Sequence, residues 1–322
     1  MAIAEQLKSL IRSHFSDEPE RFYTIALQIA AYEAQQGHGA LAHEIREIID
    51  NARQERKAIA QKLPQDMRGL VLLEKPEVPK TAMVIPKVLN VRIERIIHEY
   101  RQRHVLKVHS LTHRRKILLI GPSGTGKTMT ARILAYELSL PMYTIQVDRL
   151  VTKFMGETSA KLRLIFDMIQ REIGIYLFDE FDAIGGERSL ENDVGEMRRV
   201  LNAFLQFIEQ DNSDSLIIAA SNSPKLLDRA LFRRFDDVLY YKLPKPGERQ
   251  QLMRNILGQF LDSEISWKQI STISNCLSQA EIDQACRDAI KQAILNDKKS
   301  VEGGLLKLML GERQNARSGR IK

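Results

Sequence analysis

Apolar positions at the start of the chain recur at helical spacing. Ile3, Leu7, Leu10 and Ile11 fall at i, i+4, i+7 and i+8, the stripe of an amphipathic helix. Ser16-Asp17-Glu18-Pro19-Glu20 is a capping cluster that opens a second helix, whose buried face is Phe22, Ile25, Ala26, Ile29 and Ala30. Gly37-His38-Gly39 closes it, and Leu41, Ile45 and Ile48 begin a third. Residues 1–62 therefore read as a small N-terminal helical domain. Pro64, Pro76, Pro79 and Pro86 then interrupt any helix, so 63–88 reads as a linker with one extended patch at Leu70-Val71-Leu72-Leu73. A helix is expected from about Leu89 to His104, with Val91, Ile93, Ile96, Ile97 and Tyr100 on its apolar side.

The pattern changes at Lys116. Short apolar runs at Lys116–Ile120, Pro141–Val147, Gly174–Phe178, Leu216–Ala220 and Asp237–Tyr241 read as strands. Helical spacing separates them: one helix follows Thr128, one carries Leu162, Leu164, Ile165 and Met168, and one covers Val194–Glu209. Alternating strands and helices predict an α/β fold, a three-layer αβα sandwich around a parallel sheet over 89–243. From Lys242 to Gly247 prolines end that alternation. Helices are expected at 248–260, 267–274 and 278–295, a small helical subdomain over 244–300. Ser278 with Glu281 forms a capping box at the start of the last one. Residues 301–322 read as a short helix and a basic tail, expected to be disordered from Gly311.

Composition narrows the class. With 322 residues the chain can hold two or three domains with real cores. No apolar run approaches the roughly eighteen residues that cross a bilayer, so no helical membrane anchor is expected. The first residues lack the basic-then-apolar layout of a signal peptide, and Cys276 and Cys286 form no metal or redox spacing. A cytoplasmic location is expected. Charge is uneven: Met1–Lys80 holds 11 Lys/Arg against 12 Asp/Glu, whereas Lys87–Lys116 holds 9 against 2. That stripe reads either as a solvated helix face or as a nucleic-acid contact, although Tyr100 is the only aromatic residue within it.

Each polar interruption falls where a strand of such a sheet ends, the place where ligands gather in open α/β folds. Lys116–Ile120 runs into Gly121-Pro122-Ser123-Gly124-Thr125-Gly126-Lys127-Thr128, the G-x-x-x-x-G-K-[ST] phosphate loop in strand–loop–helix context. Its glycines let backbone N–H groups converge on an anion, and the following helix adds its dipole. Gly121 to Met129 is the expected seat of a nucleoside triphosphate, with Lys127 on the β and γ phosphates and the Thr128 hydroxyl on Mg²⁺. Asp179 follows an apolar strand, where an unpaired carboxylate is costly; beside the loop it would hold Mg²⁺ through water. Glu180 is placed to polarise the attacking water as general base. Asn222, at the end of the next strand, is expected to bond the γ-phosphate and that water. The plain alternatives are a helix cap for Asp179-Glu180 and a turn residue for Asn222.

The region 87–297 resembles an AAA ATPase module of the protein-remodelling kind. The resemblance is carried by the phosphate loop, by Asp179-Glu180-Phe181-Asp182, and by Ala220-Ser221-Asn222-Ser223-Pro224. It is completed by Leu227-Asp228-Arg229-Ala230-Leu231-Phe232-Arg233-Arg234-Phe235-Asp236, similar to the second region of homology that marks the family. ATP is then the implied nucleotide. Arg233 and Arg234 match the arginine-finger positions, which reach into a neighbouring subunit's site; the family's Pro-Gly between the arginines is missing, so both remain candidates. A homo-oligomeric ring, most often a hexamer, is implied.

Lys153-Phe154-Met155-Gly156 resembles the family's central-pore loop, implying a protein substrate gripped by Phe154; the plain alternative is a core phenylalanine. Gly185–Asp193 reads as a second pore loop or an ordinary surface loop. The helices after Lys242 look like the family's lid, with Leu277–Ile282 as its nucleotide-facing helix start and no typical sensor arginine there. The whole layout is similar to bacterial stand-alone AAA proteins, some encoded beside a subtilisin-like protease, which makes such a protease a candidate partner. A nucleic-acid-dependent ATPase or regulatory switch using the basic stripe is the competing expectation.

Overall fold

In the computed structural model the described residues are 19–47, 49, 67, 69–150, 155–182, 194–223, 227 and 229–318. They belong to two compact units, 1–68 and 69–322. In the first unit α1 (Pro19–Gln35) carries Ile25, Ala26 and Ala30 buried, and residues 39–47 are helical with Ala42 buried. The expected first helix around Ile3–Ile11 lies outside the described residues.

The second unit holds a six-stranded sheet. In chain order come β1 (Val71–Glu74), α2 (Lys87–Arg101), α3 (Arg103–Val108), β2 (Lys116–Ile120), α4 (Lys127–Leu138), β3 (Met142–Ile145), α5 (Val147–Leu150), α6 (Met155–Arg171) and β4 (Ile175–Phe178). There follow α7 (Val194–Gln210), β5 (Leu216–Ser221), α8 (Arg229–Phe232) and β6 (Asp237–Tyr240). Then α9 (Pro246–Leu257), α10 (Trp267–Ile273), α11 (Gln279–Leu295) and α12 (Gly303–Ser318) form the helical part. The strand order is β1-β3-β4-β5-β2-β6. All pairs are parallel except β1–β3, so the sheet is mixed rather than purely parallel.

The strands are apolar throughout because both faces are covered. Side chains alternate across a strand. Ile117, Leu119, Ile175, Leu177 and Ile218 pack on one face with Leu89, Ile93 and Ile96 of α2 and Ala131 and Leu134 of α4. The other face carries Phe178, which meets Phe166 of α6 and Phe204 of α7, and Phe166 in turn stacks on Phe207. Edge-on and offset aromatic contacts of this kind add about 0.5–1.5 kcal/mol each beyond the area they bury.

Two expectations change. The stretch 63–88 contributes β1, held in register from Val71↔Ile145 to Glu74↔Met142, so its extended patch is an edge strand of the sheet. Glu74 fixes it, accepting hydrogen bonds from Arg132 Nε at 2.9 Å and Thr144 Oγ1 at 3.1 Å. The tail expected to be disordered from Gly311 is helical through Ser318 as part of α12. Leu306, Met309 and Leu310 sink into the same core as Leu257, Ile282 and Ala289, and Arg313 Nη2 reaches Asp288 Oδ2 at 2.6 Å. Burial of that stripe outweighs the polar composition of the tail.

Candidate functional site

The strand order sets β4, β5 and β2 side by side, so the residues following each share one edge. After β2 comes the phosphate loop. Gly121 has no room for a side chain, since a Cβ there would lie 2.5 Å from the Tyr241 carbonyl oxygen. Gly124 adopts φ +73°, and its Cβ would meet Ser278 Oγ at 2.6 Å. Both positions therefore demand glycine, one for close backbone approach and one for a left-handed turn as well.

Lys127 opens α4 and is buried. Its ammonium donates to the carbonyls of Gly121 at 2.8 Å and Pro122 at 2.9 Å and to Asn222 Oδ1 at 2.8 Å. Burial pulls its pKa below the ordinary lysine range, while the Asp179 and Asp182 carboxylates push back. Thr128 Oγ1 donates to Asp179 Oδ2 at 2.6 Å. Asp179 Oδ1 accepts the backbone N–H of Glu180 at 2.9 Å. Glu180 itself is exposed and sits at φ +51°, a conformation that a non-glycine residue adopts only at a cost of about 1–3 kcal/mol. Asp182 Oδ1 accepts the Asn222 N–H at 3.1 Å, and the Phe181 N–H bonds the Ala220 carbonyl at 2.8 Å, tying the ends of β4 and β5 together.

Lys127, Thr128, Asp179, Glu180 and Asn222 border a cavity of about 1190 Å³, most of whose other walls carry no sequence motif. Glu77, Val78 and Pro79 line it from the former linker, and Leu252, Ile256 and Ile290 line it from the helical part. The start of α11 closes against the loop: the Ala280 N–H donates to the Gly124 carbonyl at 3.0 Å. Gln279 borders the same space, and its Oε1 is buried with no hydrogen-bond partner among the described residues. An orphan acceptor of this kind is expensive unless a ligand donates to it. The sequence signalled only the α11 start of this wall, through the capping box at Ser278 and the resemblance of Leu277–Ile282 to a nucleotide-facing helix start. The apolar and backbone contributions carry no motif.

The donor set suits a nucleoside triphosphate with a hard cation. Thr128 and Asp179 place a hydroxyl and a carboxylate oxygen within hydrogen-bond reach of each other beside the loop, the oxygen ligands that Mg²⁺ takes.

The candidate arginines differ. Both are exposed. Arg234 Nη1 forms an ion pair with Glu209 Oε1 of α7, whereas Arg233 has no ion-pair partner among the described residues. Lys153 and Phe154 lie outside the described residues, as does 183–193 with the second loop. Met155 and Gly156 are the first residues of α6, so the helix begins inside the expected pore loop.

The basic stripe is largely neutralised within the fold. Arg92 pairs with Asp237, Arg101 with Glu137, Arg103 and Lys107 with Asp214, Arg114 with Glu99, and Arg115 with Asp211.

A glycine-bounded loop after a central parallel strand, with an aspartate facing its threonine from the next strand but one, defines a P-loop nucleoside triphosphatase. Comparison with known proteins narrows that class. Residues 117–243 match the ATPase family associated with various cellular activities (AAA). An uncharacterized AAA family ATPase of Sinorhizobium fredii is 31% identical over 338 aligned positions, covering 100% of this chain and 98% of that protein. Vacuolar protein sorting-associated protein 4B of Pongo abelii is 30% identical, covering 72% of this chain and 54% of that protein. The ATP-dependent zinc metalloprotease FtsH 1 of Methylacidiphilum infernorum is 33% identical, covering 58% of this chain and 30% of that protein. The chain belongs to the AAA family and is an ATP hydrolase.

Proposed function

We propose that this chain assembles into a homo-oligomeric ring, a hexamer, which hydrolyses ATP and uses the energy to remodel or unfold a protein substrate in the cytoplasm. The observation that carries the reading is the cluster at the ends of β2, β4 and β5: Thr128 on Asp179, Lys127 on Asn222, and Glu180 exposed at the rim of the same cavity.

In this reading Lys127 trades its carbonyl contacts for the β and γ phosphates when ATP enters. Thr128 and Asp179 hold Mg²⁺, which when bound neutralises charge on the phosphates. Glu180 takes a proton from the attacking water, and its left-handed backbone supports that role by turning the residue out of the strand. Asn222 orients the water from the adjoining strand. Arg233, exposed and without an acid partner among the described residues, is the better finger candidate; Arg234 is engaged with Glu209. No helix among the described residues is long and apolar enough to cross a membrane. The ion pairs of the basic stripe support the protein-substrate reading over nucleic-acid binding, because a neutralised stripe releases few counterions.

The named activities of two relatives, a protease and a sorting protein, point the same way. A subtilisin-like protease remains a candidate partner for a chain of this layout, and co-purification from cells expressing both tests it. Threading is tested by Phe154→Ala. ATP hydrolysis should persist while unfolding of a tagged substrate stops; unfolding at the wild-type rate overturns the threading model.

A further inference from the structure

The last helix makes its contacts at a sensitive place. The guanidinium of Arg317, in the final turn of α12, donates to the Cys276 carbonyl and lies 3.3 Å from Glu281 Oε2. Cys276 sits at φ +68°, so its carbonyl belongs to a strained turn. Glu281 is the third residue of α11 and completes the capping box. Its Oε2 accepts the Ser278 N–H at 2.6 Å and the Ser278 hydroxyl at 2.7 Å. Ser278 Oγ is the atom that occupies the space beside Gly124, and the Ala280 N–H grips the Gly124 carbonyl. An unbroken series of contacts thus runs from Arg317 through Glu281 and Ser278 to the phosphate loop.

The electrostatics of that series pose a problem that Arg317 solves. Glu281 is a carboxylate within two contacts of a loop whose ligand is a polyanion. A carboxylate favours the helix start as a cap, yet it opposes bound phosphate by like-charge repulsion. A guanidinium on the same carboxylate oxygen, Oε2, that accepts from Ser278 leaves the cap in place and offsets the repulsion. Arg313 provides the comparison, since its partner Asp288 lies two turns further along α11, away from the loop.

We propose that Arg317 is a positioning residue for nucleotide binding: it neutralises Glu281 and fixes the start of α11 against Gly124, so that α12 tunes the affinity of the phosphate loop. The inference rests on the nucleotide reading of the cavity.

The test measures binding of a fluorescent ATP analogue with Mg²⁺, and steady-state KM and kcat, on the full-length chain. Arg317→Ala should raise the dissociation constant and KM about three- to tenfold, the size of a half-exposed charge-assisted hydrogen bond, with kcat little changed. Arg317→Lys should recover part of the loss, and Arg313→Ala should bind within about twofold of wild type. The decisive arm is Glu281→Gln combined with Arg317→Ala. Glutamine keeps the capping box without the charge, so the double variant should bind more tightly than Arg317→Ala alone. A double variant that binds no better overturns the neutralising role, and Arg317→Ala binding like wild type overturns the inference entirely. Should wild type itself fail to bind the probe, the nucleotide reading falls first. The Arg317→Lys and Glu281→Gln arms keep the question decidable if Arg317→Ala does not fold.

Discussion

Arg233 and Arg234 are adjacent in sequence but make unequal contacts, and that inequality fixes the size of the effect expected from each. Arg234 pairs with Glu209 across α7, with side-chain exposures of 44% and 43%. Such a half-exposed pair is worth under about 1 kcal/mol, a factor of about 5 at most in any equilibrium it touches. Arg233 is exposed and has no ion-pair partner among the described residues. In a ring, however, a finger contributes roughly 10³–10⁵ to the rate of phosphoryl transfer. Arg233→Ala should therefore bind ATP normally and lose hydrolysis by at least about a hundredfold more than Arg234→Ala.

The assay is phosphate release at saturating ATP, at protein concentrations where the ring has formed, with thermal unfolding as a check on the fold. Mixing supplies the second reading. Lys127→Ala subunits cannot hold the phosphates but retain Arg233, and Arg233→Ala subunits do the reverse. A mixture of these two inactive variants should regain activity where an intact loop meets an intact finger. The reasoning is refuted if Arg234→Ala falls as far as Arg233→Ala, or if mixing restores nothing.

Other consequences are structural. Asp211 is fully buried and accepts from Arg115 Nη1 at 2.5 Å, while Arg115 also donates to the carbonyls of Asp211 and Ser213 at the root of β2. Asp211→Ala leaves that guanidinium without its counter-charge and should cost about 3 kcal/mol, read as a lower denaturation midpoint in urea. His113 is buried against the Tyr100 ring, and burial lowers its pKa. A histidine pKa depressed in the native state means that the unfolded chain takes up the proton first. Its contribution is present above the unfolded value of about 6.5 and is lost as pH falls below it. Melting temperature should drop on acidification through that range, and His113→Phe should flatten the drop. An unchanged pH profile in that variant would remove His113 as the cause.

Much of the site was legible because its chemistry is written in short-range spacing. The loop from Gly121 to Thr128 demands small residues at fixed positions, and Asp179 and Asn222 stand one and two steps past apolar runs. Strand order then brings β4 and β5 next to β2, which is why residues 51 and 95 positions from the loop meet it. The rest depended on contacts that no local pattern announces. β1 is four residues among prolines, and only pairing with β3 makes it a strand. α12 looks like a polar tail until Leu306, Met309 and Leu310 find the core of the helical part, and Arg313 and Arg317 find acids 25 and 36 residues away. The pairing of the basic stripe was hidden for the same reason, since its carboxylate partners lie as far off as Asp237. The difference between Arg233 and Arg234 likewise appears only once α7 is in place.

The central claim is that Glu180 drives ATP hydrolysis at a site built by Lys127, Thr128 and Asp179. The most direct measurement counts bound ATP and released phosphate together in Glu180→Gln. The side chain is exposed, so the variant should fold and bind ATP as wild type does. Its turnover should fall by about 10² or more, the contribution of a positioned general base, with ATP recovered intact from the protein. Turnover near the wild-type rate would place the base elsewhere and contradict the account.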